Sequence, residues 1–434
     1  MRARTGRLTC RAVPPASRRK RIAQIAAALL LVAGVGAGAY FGIRELTADE
    51  DEAPAPPVAL EESEGEGRSA QPAEELGFPG FATKNTTRVG GADPTADAAG
   101  VALATFPSQG GVERPAAVTL VPSSDWAAGI AASVLSGDPV RAPILLSDRD
   151  EVPEETATAL EALRPEGSSE TRDARVFRIG DATAPDNLRA TDVSGGDPAV
   201  IAAEVDRLRA ELVDRDPDNI LLASTEDPAF AMPAAAWAAR SGDPVLFVGR
   251  NNVPQATKEA LKRHEDVPTY LLGPDSVASE KVVKEVEKLV PAVQRIEGED
   301  PAASSVEFAR FDAAGTFGWN ITDPGHGLVV ANGSRPLDAA AAAPLSASGK
   351  WGPLLVAESA HVVPAPLRGF LLDIKPGYRT DPTRAFYNHA WLIGNSDALS
   401  VGFQAQLDDL LELVQIQPPP GEPTSGGAER ESRK

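Results

Sequence analysis

The sequence predicts an α/β protein built from three tandem, small, doubly wound (Rossmann-like) repeats. Two observations indicate this fold class. A short phrase containing Asp-Pro recurs with spacings of 104 and 103 residues, and each copy is followed by short apolar segments that alternate with Ala-rich segments in the same order. Even self-similarity of this kind is the signature of a repeat architecture. Apolar strands that alternate with helices predict a buried parallel sheet covered on both faces.

The recurring phrase begins each repeat and predicts the start of a helix. It reads Arg-Val-Gly-Gly-Ala-Asp-Pro at 88–94, Asp-Val-Ser-Gly-Gly-Asp-Pro at 192–198 and Arg-Ile-Glu-Gly-Glu-Asp-Pro at 295–301. An Asp at the N-cap accepts hydrogen bonds from free backbone N–H groups, and a Pro at the next position is preset for helix. This local explanation accounts for the Asp-Pro pairs without any catalytic role.

Runs of four or five apolar residues predict three strands in each repeat. The first strands are predicted at Ala117–Val121, Ile220–Ala223 and Leu328–Ala331. The second strands open with Pro143, Pro244 and Pro353, and the third strands end at Gly180, Gly273 and Gly394. An Ala-rich helix is predicted between the first and second strands. The helix between the second and third strands carries a Pro near its start, at Pro153, Pro254 and Pro364.

Composition shifts divide the chain into seven predicted segments. They are a basic cytoplasmic segment at 1–21, an apolar segment at 22–43, an acidic Pro-rich linker at 44–82, repeat 1 at 83–190, repeat 2 at 191–292, repeat 3 at 293–416 and a tail at 417–434. The linker and the tail hold few apolar residues that could offset the entropy of ordering. Both are therefore predicted to be disordered.

The segment 22–43 predicts a transmembrane helix, because its 22 residues are apolar apart from Gln24 and can cross a bilayer. The eight basic residues before it orient the N-terminus to the cytoplasm. The sequence thus predicts a single-pass plasma-membrane protein with its repeats outside, in the cell wall. The alternative is secretion after cleavage of a signal peptide near Ala37–Ala39. The spacing of Gly34, Gly38 and Gly42 is typical of paired membrane helices, so a homodimer stays open.

The composition excludes several classes of protein. Beyond residue 21 the chain holds 34 basic and 62 acidic residues, a net charge of about −28, which excludes nucleic-acid binding through a basic surface. The only cysteine is Cys10, so the repeats contain no disulfide and no thiol nucleophile. No HExxH, Gly-x-Ser-x-Gly or Walker motif occurs. The sequence therefore predicts no metal, no cofactor and no enzyme activity.

Ligand-binding residues are predicted at the carboxyl ends of strands, where ligands bind in open α/β sheets. Asp125, Asp227 and Asp338 each follow the first strand of a repeat, and three equivalent carboxylates could read a repeated ligand. Arg88 and Arg295 open the recurring phrase in repeats 1 and 3 and are predicted to contact an anionic ligand. The alternatives are helix capping for the three aspartates and solvated surface charge for the two arginines.

The order of these features resembles the cell wall-binding repeat 2 family. The first repeat matches best, at Arg88–Asp93, Asp125, Ala142–Leu146 and Pro153–Thr156, and the third repeat is similar at Arg295–Asp300. The resemblance covers nearly all of the predicted folded part. It implies that the three repeats pack as a pseudo-trimer and attach a surface protein non-covalently to the wall, with an anionic wall polymer as the ligand.

We therefore expect a non-catalytic, membrane-anchored protein whose partner is a cell-wall polymer, either an anionic secondary polymer or peptidoglycan. The strong negative charge would repel an anionic polymer unless basic residues cluster locally or a divalent cation bridges the two. Two alternatives stay open. One is an envelope protein that binds a soluble molecule in a crevice at a strand switch point. The other is a cell-envelope hydrolase with a non-standard acidic site.

Overall fold

The computed structural model describes residues 79–107, 114–349 and 351–416, which belong to one compact unit, Ser69–Lys434. The strands are β1 Pro79–Ala82, β2 Thr86–Val89, β3 Val118–Pro122, β4 Ile144–Ser147, β5 Val176–Ile179, β6 Ala190–Val193, β7 Ile220–Ser224, β8 Val245–Val248, β9 Thr269–Leu272, β10 Val293–Ile296, β11 Gly327–Asn332, β12 Trp351–Ala357, β13 Gly377–Tyr378, β14 His389–Ile393 and β15 Val414–Gln415. The α-helices are α1 Pro94–Thr105, α2 Trp126–Ala132, α3 Glu154–Leu163, α4 Pro198–Val213, α5 Pro228–Ser241, α6 Gln255–Arg263, α7 Glu280–Val286, α8 Pro301–Arg310, α9 Leu337–Ala347, α10 Ala365–Asp373 and α11 Val401–Leu411.

Strands β13 and β15 form a small two-stranded parallel sheet. The other strands form three larger sheets that are parallel apart from β1, and the predicted fold class is confirmed. Their orders are β4-β3-β5-β6, β8-β7-β9-β10 and β12-β11-β14-β2, and the third sheet adds β1 antiparallel to β2. The third strand of each repeat was predicted to end at Gly180, Gly273 or Gly394, and it ends one residue earlier in each case. All three glycines have positive φ values, from 60° to 97°, so glycine is the residue that leaves each strand without strain. Strand β1 lies within the range predicted as linker.

The fourth parallel strand of each sheet belongs to the next repeat. The strand that opens repeat 2, β6, pairs with β5 of repeat 1, and β10 of repeat 3 pairs with β9 of repeat 2. The circle closes because β2, at the start of repeat 1, pairs with β14 near the end of repeat 3. The recurring phrase therefore begins as the fourth parallel strand of one sheet and continues into the first helix of the following repeat.

Three Ala-rich helices, α2, α5 and α9, pack against one another at the centre of this circle. Almost every alanine in them is fully buried. Small side chains let the helix axes approach closely, and Gly129 is one point of close approach. A Cβ atom at Gly129 would lie 2.8 Å from the Cβ atom of Ala340. The largest hydrophobic core cluster contains residues of all three repeats, so the repeats share one core.

The first helices, α1, α4 and α8, connect each repeat to the one before it. Helix α1 packs on α9 of repeat 3, α4 on α2 of repeat 1, and α8 on α5 of repeat 2. Each begins at a Pro after an Asp N-cap, as predicted. The phrase also contains a glycine that lets the chain turn close to the backbone of the following helix. A Cβ atom at Gly91 or Gly298 would lie 2.5 or 2.4 Å from a backbone nitrogen of the following helix, so the turn must be glycine.

The predicted single-pass membrane location is contradicted. No helix within the described ranges is long and apolar enough to cross a membrane. The predicted span at 22–43, and with it the proposed pairing of Gly34, Gly38 and Gly42, lies outside the described residues. The basic segment 1–21 and the tail 417–434 lie outside them as well.

Candidate functional site

Arg88 lies on β2, where the circle of repeats closes, and holds the end of the third sheet together. Its Nη1 donates to the carbonyl oxygens of Gly394 and Asn395, each at 2.8 Å, and its Nε donates to Oε1 of Gln404 at 3.0 Å. The residue is only 6% exposed. Its Nη2 is buried without a hydrogen-bond partner in the described part of the chain. Burial lowers the pKa of this guanidinium, and the charge of Asp97 opposes the shift.

Arg295 makes the equivalent contact in the second sheet, at a less buried position. Its Nη1 donates to the carbonyl oxygen of Gly273 at 2.9 Å. The rest of its guanidinium lies beside Glu280 and Glu297, at 3.3 and 3.6 Å. Both predicted arginines therefore bind the backbone of the glycine turn that ends the neighbouring strand. A role for either arginine in ligand binding stays a prediction.

Asp125 and Asp227 cap the central helices of repeats 1 and 2. The side chain of Asp125 accepts a hydrogen bond from the backbone N–H of Ala128 at 2.9 Å, and that of Asp227 accepts one from Ala229 at 3.0 Å. Both side chains are partly exposed. Each carboxylate satisfies a free N–H of the first helical turn. Both carboxylates therefore remain accessible to a ligand from solvent.

Asp338, the third predicted aspartate, has a different environment from the other two. It is fully buried in the first turn of α9, where the Nε of Arg335 lies 2.8 Å from its Oδ2. Arg335 also forms an ion pair with the fully buried Asp97 of α1. One guanidinium thus serves two carboxylates at the junction of repeats 1 and 3.

Burial dominates the ionisation of this junction. It raises the pKa of Asp338 to about 6, although the charge and hydrogen bond of Arg335 act in the opposite direction. Burial also raises the pKa of Asp97 well above its ordinary value, and the neighbouring charge of Asp338 adds to that shift. The backbone N–H of Gly91 donates to Asp97 at 2.7 Å, which offsets part of the cost of burying the carboxylate.

The predicted site residues lie at the edges of three different sheets. Arg88 and Asp338 meet at one junction, since Arg335, the partner of Asp338, lies 3.3 Å from where a Cβ atom at Gly394 would be. Asp125 belongs to the first sheet, and Asp227 and Arg295 to the second. In the described ranges, no group of three or more His, Cys, Asp or Glu side chains is placed to hold a metal ion.

Repeat 2 contains a basic cleft that was not predicted from the sequence. An open cleft of about 700 Å³ is lined by Lys258, Lys281, Lys284, Glu285, Lys288 and Leu289. A signal for it is present in the sequence. Of the ten lysines in the chain, five lie between residues 258 and 288. We call these four lining lysines, with Glu285, the lysine cleft.

No protein-family model and no curated protein sequence matches the chain, but solved structures do. Cwp6 from Clostridium difficile has a TM-score of 0.60 at 18% sequence identity, and the match covers 76% of this chain and 48% of that chain. Cwp8 from Clostridium difficile has a TM-score of 0.58 at 17% identity, covering 76% of this chain and 52% of that chain. The chain therefore spans about half the length of each protein. At this identity, the likeness shows a shared fold.

Proposed function

We propose that the chain is a non-catalytic protein of the cell wall that associates with a wall polymer through its three repeats. The shared fold carries this proposal, because Cwp6 and Cwp8 are cell wall proteins of Clostridium difficile. The match extends over 76% of this chain, which is more than any two repeats could supply. The resemblance of the recurring phrase to cell wall-binding repeats supports the same function independently.

The environments of the aspartates favour binding over catalysis. Asp125 and Asp227 are occupied as helix caps, and Asp338 is fully buried. A hydrolase with an acidic site needs two carboxyl groups that face one substrate. These three side chains instead lie in three different repeats, where two cap helices and Asp338 pairs with Arg335 at the junction of repeats 1 and 3.

Export of the repeats is part of the proposal. The N-terminal segment would then act as a signal peptide cleaved near Ala37–Ala39. N-terminal sequencing of the protein extracted from walls tests this directly. A mature protein that begins just after this site is expected, whereas a wall-extracted protein that still carries residues 22–36 would contradict the proposed cleavage.

The decisive experiment is sedimentation of the purified full chain with wall sacculi, before and after their secondary polymers are stripped. We expect the chain to co-sediment with intact sacculi and to lose this association when the polymer is removed. Equal binding to both preparations would identify peptidoglycan as the partner. Failure to bind either preparation would reject the proposed function and favour a soluble ligand.

A further inference from the structure

The lysine cleft is a strongly basic feature on an acidic protein. The chain as a whole has a net charge of −20, yet half of its ten lysines lie within residues 258–288. Lys281, Lys284 and Lys288 are spaced by three and four residues along α7 and the turn after it, so they share one side of the helix. Lys258 approaches from α6, and the four side chains line one cleft of about 700 Å³.

Most of the positive charge in the cleft is uncompensated. Lys258 lies 2.5 Å from Glu285, the only carboxylate in the lining. Among the described residues, no carboxylate lies within 4.0 Å of the ammonium groups of Lys281, Lys284 and Lys288. All three of these lysines are exposed. The lining therefore carries four positive charges and one negative charge.

The ionisation of Glu285 reflects this positive field. The hydrogen bond from Lys258 holds the pKa of Glu285 below its ordinary value, and the charges of Lys258, Lys281 and Lys288 act in the same direction. Two nearby carboxylates outside the cleft are engaged elsewhere. Glu259 accepts a hydrogen bond from Gln255 at 2.9 Å, and Glu280 accepts one from Arg295 at 3.3 Å.

We propose that the lysine cleft is the anion-binding site of this protein and takes a polymer with phosphate or carboxylate groups along its length. This inference rests on the proposed function and names the surface of repeat 2 that would make the contact. Lysine ammonium groups act as compact point charges without a fixed geometry, which suits a flexible chain of repeated anions. The cleft also resolves the charge conflict, because it offers locally clustered basic residues on a surface that otherwise repels anions.

The test compares two triple variants of the full chain. Lys281→Gln/Lys284→Gln/Lys288→Gln removes three charges from the cleft, and Arg207→Gln/Arg215→Gln/Arg368→Gln removes three exposed charges elsewhere. Both are compared with the wild-type chain for binding to intact sacculi, to polyphosphate and to polygalacturonate at increasing NaCl concentration. The cleft variant is expected to bind about tenfold more weakly, and the control variant within about twofold of wild type. A third variant with arginine at the same three lysine positions keeps the charge and should retain binding.

The outcomes separate the two proposals. If wild type binds sacculi and the cleft variant binds equally well, the cleft is rejected while the proposed function stands. If wild type fails to bind sacculi, the proposed function is rejected, and the two soluble polyanions still decide whether the cleft binds anions. Weaker binding of the cleft variant to only one of them identifies phosphate or carboxylate as the recognised group. Equal binding of all variants to both polyanions would overturn the inference.

Discussion

Arg178 and Asp192 form a two-pronged ion pair between neighbouring strands, with Nε and Nη2 donating to Oδ1 and Oδ2 at 2.8 and 2.7 Å. They are direct partners in the register of β5 and β6. The other two sheets place an arginine against a leucine at this position: Arg88 against Leu392, and Arg295 against Leu271. Repeat 2 therefore lacks the arginine of its neighbours, and its aspartate is matched by an arginine on the adjacent strand.

This exchange predicts a rescue. Asp192→Arg alone places two guanidinium groups side by side, and should lower the free energy of unfolding by roughly 1 kcal/mol, since the native pair is about half exposed. The double variant Arg178→Leu/Asp192→Arg recreates the arrangement of the other two sheets and should regain most of this loss. Urea denaturation measures both values. A double variant less stable than Asp192→Arg would show that the three positions are not equivalent.

The second prediction concerns Arg88. Arg88→Met leaves the carbonyl oxygens of Gly394 and Asn395 without their buried donor, and should lower the free energy of unfolding by roughly 2–4 kcal/mol. Arg295→Met should cost less, because the surroundings of Arg295 are more exposed. Urea denaturation provides the comparison. If Arg88→Met instead leaves stability unchanged but abolishes binding to sacculi, Arg88 is a ligand contact.

The third prediction is a pH dependence set by the buried junction. The pKa of Asp338 is raised from 3.8 to about 6 by burial, so the folded state binds this proton more tightly than the unfolded state. The resulting stabilisation is complete below the unfolded pKa and is lost as the pH rises through about 6. Asp338→Asn lacks this dependence. As the pH rises from about 4 to about 7, the free energy of unfolding of this variant should therefore increase by roughly 1–3 kcal/mol relative to that of wild type.

Urea denaturation across this pH range tests the junction, with Asp125→Asn as the control. Asparagine is as good an N-cap as aspartate, so the control should stay parallel to wild type. A constant difference between Asp338→Asn and wild type at every pH would rule out a raised pKa.

The fourth prediction uses two glycines inside helices. Gly129→Ala places a methyl group 2.8 Å from the Cβ atom of Ala340, and should lower the free energy of unfolding by roughly 1–3 kcal/mol through overpacking of the central helices. A methyl group at Gly369 in α10 meets nothing within 4 Å. Gly369→Ala should therefore raise the free energy of unfolding by about 0.5–1 kcal/mol, through better helix propensity alone. Thermal denaturation distinguishes the two, and equal effects would contradict close packing at Gly129.

The features predicted correctly are those with a local cause. The Asp-Pro pair of the recurring phrase caps a helix in all three repeats, and a continuous apolar run such as Leu328–Ala331 must be buried on both faces. The fourth strands were not predicted, because segments such as Ala190–Val193 are largely exposed and mixed in polarity. The strands with which they pair also belong to another repeat. The hydrogen bonds from Arg88 to Gly394 and Asn395 depend on such a pairing, so the burial of Arg88 could not be derived from the sequence. The lysine cleft could not be predicted because it forms only where helices α6 and α7 lie side by side.

The pairing of β2 with β14 also makes the first and last repeats depend on each other. An open tandem array can gain or lose a unit at either end. Here the loss of repeat 3 would remove β14 and leave β2 without its parallel partner. Arg88 and Gly394, which meet at this point, are 306 residues apart in the chain. The last sheet can form only after that long loop closes, which makes completion of the fold a late event that involves nearly the whole described chain.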